Sequence, residues 1–346
     1  MDDGHRRGRT ASHPRKGSWL TGRALVTLLV TAASVGLLLW VAPPKAVIDQ
    51  IGDMNPAWVI AAVGLELASC LSYLLVFRLF FPEPPRAVSY QVAWIAMGAG
   101  AVLPGGNISS AAATSWLLRR HGIGTGRLIG RCVALLCLLI GFGFFVNGFA
   151  AALLFAGVPG GPHDLLHTGG PILVSVAVLS LAALVVNATR RAGDRAPRAV
   201  RGFAAGLESA WEACRASSWR LLGAVGFLLF DMAALWATCR ATGHPLGAPA
   251  VVIAYCIGYL ATSVPIPAGI GVLDSGLSAA LVLYGLSTTA AVGAVLVYHA
   301  IAIWVPGLGG LIAWLPTRRL HGAEPPPVAL PELGALRLAE VADTPD

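Results

Sequence analysis

Two short segments break the apolar runs of this chain in the same way: Val264–Gly271, which reads VPIPAGIG, and Val102–Asn107, which reads VLPGGN. Inside a bilayer every backbone N–H and C=O group needs a partner. Breaks rich in Pro and Gly therefore persist there only where the unwound backbone is buried in protein or lines a polar cavity. One break lies in each half of the chain, and paired breaks of this kind predict a binding site near the middle of a membrane.

The composition is that of a polytopic membrane protein. Of the 346 residues, 56% are hydrophobic and only 12% are charged, whereas soluble domains are about 25% charged. The formal net charge of +7 would suit a nucleic-acid partner, but the Lys and Arg residues stand at the ends of apolar runs. Because no basic face with interleaved aromatic residues accompanies them, we expect no nucleic-acid partner.

Cysteine and histidine residues give no sign of a metal centre. The six cysteines include no C-x-x-C pair and lie in or beside apolar runs, as small buried side chains do. The eight histidines form no H-E-x-x-H or H-x-E pattern. We therefore expect no metal site, no cofactor and no disulfide.

Hydropathy divides the chain into three parts. We expect a basic N-terminus at 1–23, a transmembrane region at 24–316 and a disordered tail at 317–346. A helix needs about 20 apolar residues to cross about 30 Å of hydrocarbon. Six runs meet that length, so we predict an all-α fold with transmembrane helices at 24–42, 57–81, 128–156, 171–189, 219–239 and 288–315. The first of these is longer than the apolar part of a signal peptide and is predicted to remain as a span.

Two further apolar stretches are too short or too interrupted to cross a membrane. Residues 88–103 run into the first break and return through 108–118, and residues 249–264 run into the second break and return through 272–284. We predict that each forms a re-entrant helical hairpin, which enters and leaves the membrane on the same side.

The positive-inside rule orients these segments. With the N-terminus inside, the Arg-rich loops all fall on the cytoplasmic side of a plasma (inner) membrane, and Arg240 is the exception. The Pro104 hairpin then enters from the cytoplasm, the Pro265 hairpin enters from outside, and both termini are cytoplasmic. Residues 202–218 have helical spacing and are predicted to form an interfacial helix on the inner leaflet, or else a plain connecting helix. The Arg-rich loops that orient the chain are 78–86, 119–131, 190–201 and 318–319.

Polar residues at membrane depth are costly and usually face a cavity or a partner. Glu66, Asp231 and His299 lie within predicted spans, whereas Asn107 and Asp274 follow the two breaks. A hydrogen bond between helices would explain Glu66 and Asp231 as well as a cavity would. Asn107 and Asp274 stand where half-helices begin, and the N-terminal ends of half-helices suit an anionic headgroup.

The residues around both breaks resemble those of a known family. Val264–Gly285, VPIPAGIGVLDSGLSAALVLYG, resembles the lP-x-x-P-G-G-x-G-x-x-E segment of the lysylphosphatidylglycerol synthase transmembrane (flippase-like) family. Val102–Gly106 resembles its N-x-L-L-P-G turn, with Arg131 near the Arg that follows, and Trp304–Gly310 resembles its final helix. The resemblance extends over residues 24–316.

This resemblance implies a membrane domain that moves lipids, such as aminoacylated phosphatidylglycerol, between leaflets. Asp274 stands where the family usually has Glu, His299 stands where an Arg is common, and the Glu expected soon after the first turn is absent. The residues after 316 are too few for an aminoacyl-transferase domain, so we expect no enzymatic activity. No ATP-binding motif is visible, so movement would be passive or coupled to an ion.

The predicted site lies between the two breaks and binds a lipid headgroup, anionic or lipid-linked. Arg131 is expected to pair with the phosphate, because an Arg fork makes bidentate, charge-assisted hydrogen bonds. Two other functions stay open: a non-transporting scaffold in envelope lipid or glycan assembly, and a lipid-modifying enzyme. A homo-oligomer and an envelope-assembly partner also stay open. The substrate-binding residues that we predict are Pro104, Gly105, Gly106, Asn107, Arg131, Pro265, Pro267, Gly269, Gly271, Asp274 and His299.

Overall fold

The computed structural model describes residues 44–103, 105–119, 123–159, 161–216, 218–244, 246–261 and 272–319. In these residues all regular secondary structure is helical, as the composition predicts. A 3-10 turn, Gly193–Arg195, joins the sixth helix to the seventh. The helices are α1 (Pro44–Gly52), α2 (Pro56–Phe80), α3 (Arg86–Val102), α4 (Asn107–Arg119), α5 (Thr125–Phe155), α6 (Leu165–Ala192), α7 (Arg198–Arg215), α8 (Leu221–Ala241), α9 (Ala248–Ala261), α10 (Val272–Leu283) and α11 (Thr288–Arg319).

Five of the described helices are long and apolar enough to cross a membrane. They are α2, α5, α6, α8 and α11, and each coincides with a span predicted from hydropathy. The sixth predicted span, 24–42, lies outside the described residues. The chain is therefore a multi-pass membrane protein.

Helix α6 begins at Leu165, earlier than the predicted start at 171, because Asp164 caps it. Its Oδ1 accepts hydrogen bonds from the N–H groups of Leu166 and His167 at 3.0 and 3.1 Å. Pro171 consequently lies inside the helix and has no N–H to donate to the His167 carbonyl. The Tyr284 hydroxyl donates to that carbonyl instead, at 2.7 Å, and so ties α6 to the end of α10.

Helices α3 and α4 form the first predicted hairpin. Gly105 and Gly106, between the two helices, have φ angles of 104° and 50°, which side chains other than glycine rarely adopt. The helices then run back along each other so closely that a Cβ on Gly100 would lie 3.3 Å from Cβ of Ser110. Pro104 itself lies outside the described residues.

Helices α9 and α10 flank the second break in a similar way. Near the end of α9, a Cβ on Gly258 would lie 3.0 Å from Cα of Leu277, near the start of α10. That contact pairs the two helices antiparallel, as a hairpin requires. The break itself, with Pro265, Pro267, Gly269 and Gly271, lies outside the described residues.

The hairpins open at opposite ends of the bundle. At the arginine-rich end, which carries Arg86, Arg131 and Arg190, Gln91 of α3 donates to the Ala313 carbonyl near the end of α11 at 2.9 Å. At the other end, Asn55 N–H donates to the Ala241 carbonyl at 2.9 Å, joining the start of α2 to the end of α8. The first hairpin has its base at the arginine-rich end, and the second has its base at the other end, in agreement with the prediction from charge.

Each hairpin packs into its own apolar core. The core at the arginine-rich end joins the first hairpin to α2 and α5, with Phe77 and Leu118 fully buried. The core at the other end joins the second hairpin to α8 and α11, with Leu277 and Tyr298 almost completely buried. Small residues let the helices approach closely, as is usual in membrane bundles.

Helix α7 occupies the place of the predicted interfacial helix. It packs on α5 at the arginine-rich end, where a Cβ on Gly206 would lie 2.6 Å from a methyl carbon of Val133. Phe203 and Trp211 stay exposed on the same helix. A helix with one face on protein and exposed aromatic residues on another fits the membrane–water interface.

Candidate functional site

The second hairpin brings two predicted site residues into contact. Asp274 is the third residue of α10 and follows the second break. Its Oδ1 lies 2.5 Å from Nδ1 of His299, in the middle of α11. The side chains are only 8% and 11% exposed, respectively. The sequence flagged both residues separately, and the structure places them in one buried pair.

This pair has a defined chemistry. A carboxylate beside Nδ1 orients the imidazole and fixes which ring nitrogen faces it. Nδ1 then serves Asp274, and Nε2 is left for a further partner. Because α10 starts just before Asp274, the positive end of its helix dipole lies at the same place.

The first hairpin reaches the same helix, α11, at a different level. A Cβ on Gly307 would lie 3.1 Å from Cγ2 of Val102, the last residue of α3. Gly307 is eight residues beyond His299, which corresponds to about 12 Å along an α-helix. Asn107 begins α4 at this hairpin tip, and its side chain is exposed.

One backbone hydrogen bond of α11 is missing between these two levels. Pro306 lies inside the helix and has no N–H to donate to the Ala302 carbonyl. A carbonyl without its helical donor suits a polar or protein-buried surrounding better than contact with lipid tails. The Asp274–His299 pair, the tip of the first hairpin and this part of α11 together form the candidate site.

Arg131, the predicted phosphate partner, is engaged elsewhere. Its Nη1 and Nη2 donate to Oε2 and Oε1 of Glu83 at 2.7 and 2.5 Å, a bidentate ion pair. Glu83 lies between α2 and α3, so the pair links α5 to the base of the first hairpin at the arginine-rich end. In the structure Arg131 holds the base of the first hairpin against α5, and it lies apart from the Asp274–His299 pair.

The Arg131–Glu83 pair predicts a small, pH-dependent contribution to stability. Hydrogen bonds from Arg131 hold the pKa of Glu83 below its ordinary 4.5. The stabilisation is therefore complete above that value and is lost as the pH falls through the lower, folded-state pKa. We expect Glu83→Gln to lower the free energy of unfolding by up to about 1 kcal/mol at neutral pH, because the pair is partly exposed and screened.

Unfolding of both proteins in detergent across a pH series measures this difference. It should shrink steadily on acidification below the ordinary pKa of a glutamic acid. A difference that is the same at every pH would contradict an electrostatic origin. Glu208→Gln, which removes the single contact of Arg190 at 2.6 Å, is the matched control for losing a surface carboxylate.

A second polar cluster lies in the bundle core and was only partly foreseen. Glu66 of α2 and Asp231 of α8 lie within hydrogen-bonding reach of each other. Two hydroxyl groups, from Tyr255 of α9 and Tyr298 of α11, donate to the Asp231 carboxylate. The sequence flagged both carboxylates but gave no sign that they meet, and neither tyrosine belongs to a recognisable motif.

An apolar cavity of about 220 Å³ lies among α5, α6 and α9. Asn147 is its polar member, and its side-chain amide donates to Ser175 Oγ at 2.9 Å. Cys256 and Ile257, near the end of α9, line the same cavity next to the second break. Nothing in the sequence pattern pointed to this space, which Gly170 and Pro171 of α6 also line.

Comparison with known proteins supports the interpretation drawn from the residues. No curated protein matches the chain. The model of a family described as "Lysylphosphatidylglycerol synthase TM region" matches residues 24–310, which is most of the chain. The match covers both hairpins, α11 as far as Gly310 and all of the candidate site. The chain therefore belongs to the lysylphosphatidylglycerol synthase transmembrane-region family.

Proposed function

We propose that this protein binds the headgroup of a membrane lipid between its two hairpin tips and moves the lipid between leaflets. The observation that carries the proposal is the buried Asp274–His299 pair at the place where the second hairpin meets α11. An ionisable pair at membrane depth is costly and is usually retained for function. Its family membership, which relates the chain to lipid handling, points the same way.

The chemistry of the pair suits an anionic headgroup. With Asp274 holding Nδ1, the imidazole of His299 presents Nε2 to the phosphate group, and the N-terminal end of α10 adds a positive dipole. Asn107, at the tip of the other hairpin, supplies an amide that both donates and accepts hydrogen bonds. The apolar cavity among α5, α6 and α9 offers a surface that suits an acyl chain.

The opposed hairpins suit alternating access. One enters from the arginine-rich end and the other from the opposite end, so each gates the site from a different side of the membrane. We propose that the arginine-rich end is cytoplasmic, that both termini lie there, and that the protein resides in the plasma membrane. We further propose that the chain acts without catalysing group transfer to the lipid.

Cysteine accessibility tests this orientation. On a background without native cysteines, we expect a membrane-impermeant maleimide added to intact cells to label Asp164→Cys. Glu208→Cys should be labelled only after the cells are opened, because that residue lies at the arginine-rich end. Labelling of Glu208→Cys in intact cells would contradict the orientation.

A lipid-scrambling assay in proteoliposomes tests the function. Fluorescent phosphatidylglycerol in the inner leaflet should become accessible to dithionite at a rate that depends on the protein. We expect Asp274→Asn combined with Asn107→Ala to slow this step at least tenfold, which corresponds to about 1.4 kcal/mol. The variant keeps the size of the buried side chain, and Glu208→Gln is the control that should move lipid at the wild-type rate.

Outcomes of this assay decide between the functions considered. Full activity of the double variant would refute the site. Absence of lipid movement in the folded wild-type protein, with several headgroups tested, would favour a scaffold that does not transport. Appearance of a newly modified lipid in extracts of cells that express the chain would favour an enzyme.

A further inference from the structure

The carboxylates of Glu66 and Asp231 form a buried pair with an unusual hydrogen-bond pattern. Glu66 is 6% exposed and Asp231 is 7% exposed. Both oxygens of Asp231 are occupied, because Tyr298 donates to Oδ1 at 2.7 Å and Tyr255 donates to Oδ2. Oε1 of Glu66 faces the thiol of Cys70 at 3.8 Å. Oε2 of Glu66 is buried and accepts from no donor in the part of the chain that the structure describes.

Two ionised carboxylates in this arrangement would be unstable. Like charges in contact, away from water, repel each other, so such a pair holds a proton. A carboxylate has no donor of its own, and a hydrogen bond between Glu66 and Asp231 exists only when one of them is protonated. A proton on Glu66 Oε2 would satisfy that orphaned atom and give the Asp231 carboxylate a third donor.

The described surroundings offer no counter-charge. Each element packed against the pair contributes either a neutral donor or nothing: Cys70 from α2 itself, Tyr255 from α9 and Tyr298 from α11. Among the described residues no Lys, Arg or His acts on either carboxyl group, and α3 and α5 supply no ionisable partner. The charge balance of the site is therefore set by protons.

A metal ion fits this site less well than a proton. Hard cations take six or more oxygen ligands, but the oxygens of Asp231 already accept from two tyrosines and only one oxygen of Glu66 is open. The described residues contain no group of three or more His, Cys, Asp or Glu side chains arranged to hold a metal.

The pair is joined to the candidate headgroup site through α11. Tyr298, which donates to Asp231, directly precedes His299, which contacts Asp274. A structural change at one pair would therefore be transmitted to the other within a single turn of α11. The second hairpin is tied to both, since Tyr255 lies on α9 and Asp274 lies on α10.

We propose that Glu66 and Asp231 bind one exchangeable proton and that this proton is the ion coupled to lipid movement. The second half of this statement rests on the function proposed above. Protonated, the pair carries one negative charge, which the two tyrosines and the Glu66 hydroxyl stabilise. Deprotonated, it carries two adjacent charges, which would drive α2 and α8 apart or draw Tyr298 and α11 into a new position.

The proton can be observed without any transport assay. The infrared spectrum of the protein in lipid should contain the C=O band of a buried carboxylic acid, absent from Glu66→Gln and shifted in heavy water. A hydrophobic carbodiimide, which reacts with protonated carboxyl groups, should label Glu66. This labelling should be lost in Glu66→Gln and kept in the control Glu208→Gln. Equal labelling of the wild type and Glu66→Gln, or a wild-type spectrum without this band, would overturn the proton site.

Coupling is tested separately in proteoliposomes with an imposed pH gradient. We expect the gradient to change the rate of phosphatidylglycerol movement at least threefold in the wild type and to have no effect in Glu66→Gln, with Glu208→Gln as the unaffected control. Movement by the wild type that ignores the gradient would refute coupling, although the lipid function would stand. If the wild type moves no lipid, the proposed function and its coupling both fail, and the infrared band alone decides whether the pair binds a proton.

Discussion

Gly223→Leu is expected to abolish folded protein, because α2 and α8 make the most extensive helix–helix contact in the described structure and meet here without room for a side chain. A Cβ on Gly223 would lie 2.6 Å from the Ser72 carbonyl oxygen and 2.7 Å from the Val76 nitrogen, both of which are backbone atoms. Backbone cannot move aside as a flexible side chain can, so the two helices must separate. Gly223→Ala alone should cost about 1–3 kcal/mol, the usual range for overpacking.

Separation of these helices would also break a tertiary hydrogen bond. The Ser69 hydroxyl donates to the Phe227 carbonyl at 2.8 Å across the same interface. The Glu66–Asp231 pair spans α2 and α8 a little further along. A bulky substitution at Gly223 therefore disturbs both the packing of α2 against α8 and the Glu66–Asp231 pair.

The measurement is the yield of monodisperse protein in mild detergent together with its midpoint of thermal unfolding. Gly64→Ala and Gly64→Leu are the matched controls on α2, because a Cβ there meets nothing within 4 Å and the residue is exposed. Helix propensity alone should stabilise Gly64→Ala by up to about 1 kcal/mol. A Gly223→Leu variant as stable as Gly64→Leu would show that the interface is looser than described.

The spans and the hairpins could be predicted from the sequence because both follow from one-dimensional properties. Hydropathy fixes the length of an apolar run, and Pro-Gly breaks mark where it unwinds. The start of α6 was predicted at 171, later than observed, because the length of an apolar run does not show a cap. In fact the Asp164 cap and the Tyr284 hydroxyl accommodate a proline inside the helix.

Contacts between distant segments were not predictable in this way. Glycine appears throughout the apolar runs, and nothing in the sequence separates Gly223, which touches α2, from Gly64, which faces outward. Glu66 and Asp231 are 165 residues apart in the chain, so their contact depends on how α2 crosses α8. The same limit applies to Asp274 and His299, whose depth was predictable and whose contact was not.

Arg131 shows that the partners of a predicted site residue depend on the fold. Its place after the first break made it the expected phosphate partner, but only the folded chain brings Glu83 to it. The carboxylate of Glu83 competes with a phosphate for the same guanidinium fork. Whether a residue of the right type is available to a ligand depends on neighbours that are distant in sequence.

His299→Leu is expected to be the most destabilising single change at the candidate site, because it removes the imidazole from a buried carboxylate. Breaking a buried ion pair on one side typically costs about 3–5 kcal/mol, since the remaining charge stays away from water. Adding Asp274→Asn to this variant removes that charge and should recover most of the loss. The two substitutions should therefore be strongly non-additive, as expected for residues in contact.

A double-mutant cycle measures this coupling as the difference in free energy of unfolding in detergent among the wild type, both single variants and the double variant. We expect the double variant to be more stable than His299→Leu by at least about 2 kcal/mol, a clear fraction of the cost of an unpaired buried charge. Additive effects would show that the 2.5 Å contact contributes no interaction energy. The double variant, though folded, should still be inactive in lipid scrambling, since it lacks the side chain that the headgroup needs. Recovered stability without recovered activity would separate the role of the pair in binding from its role in stability.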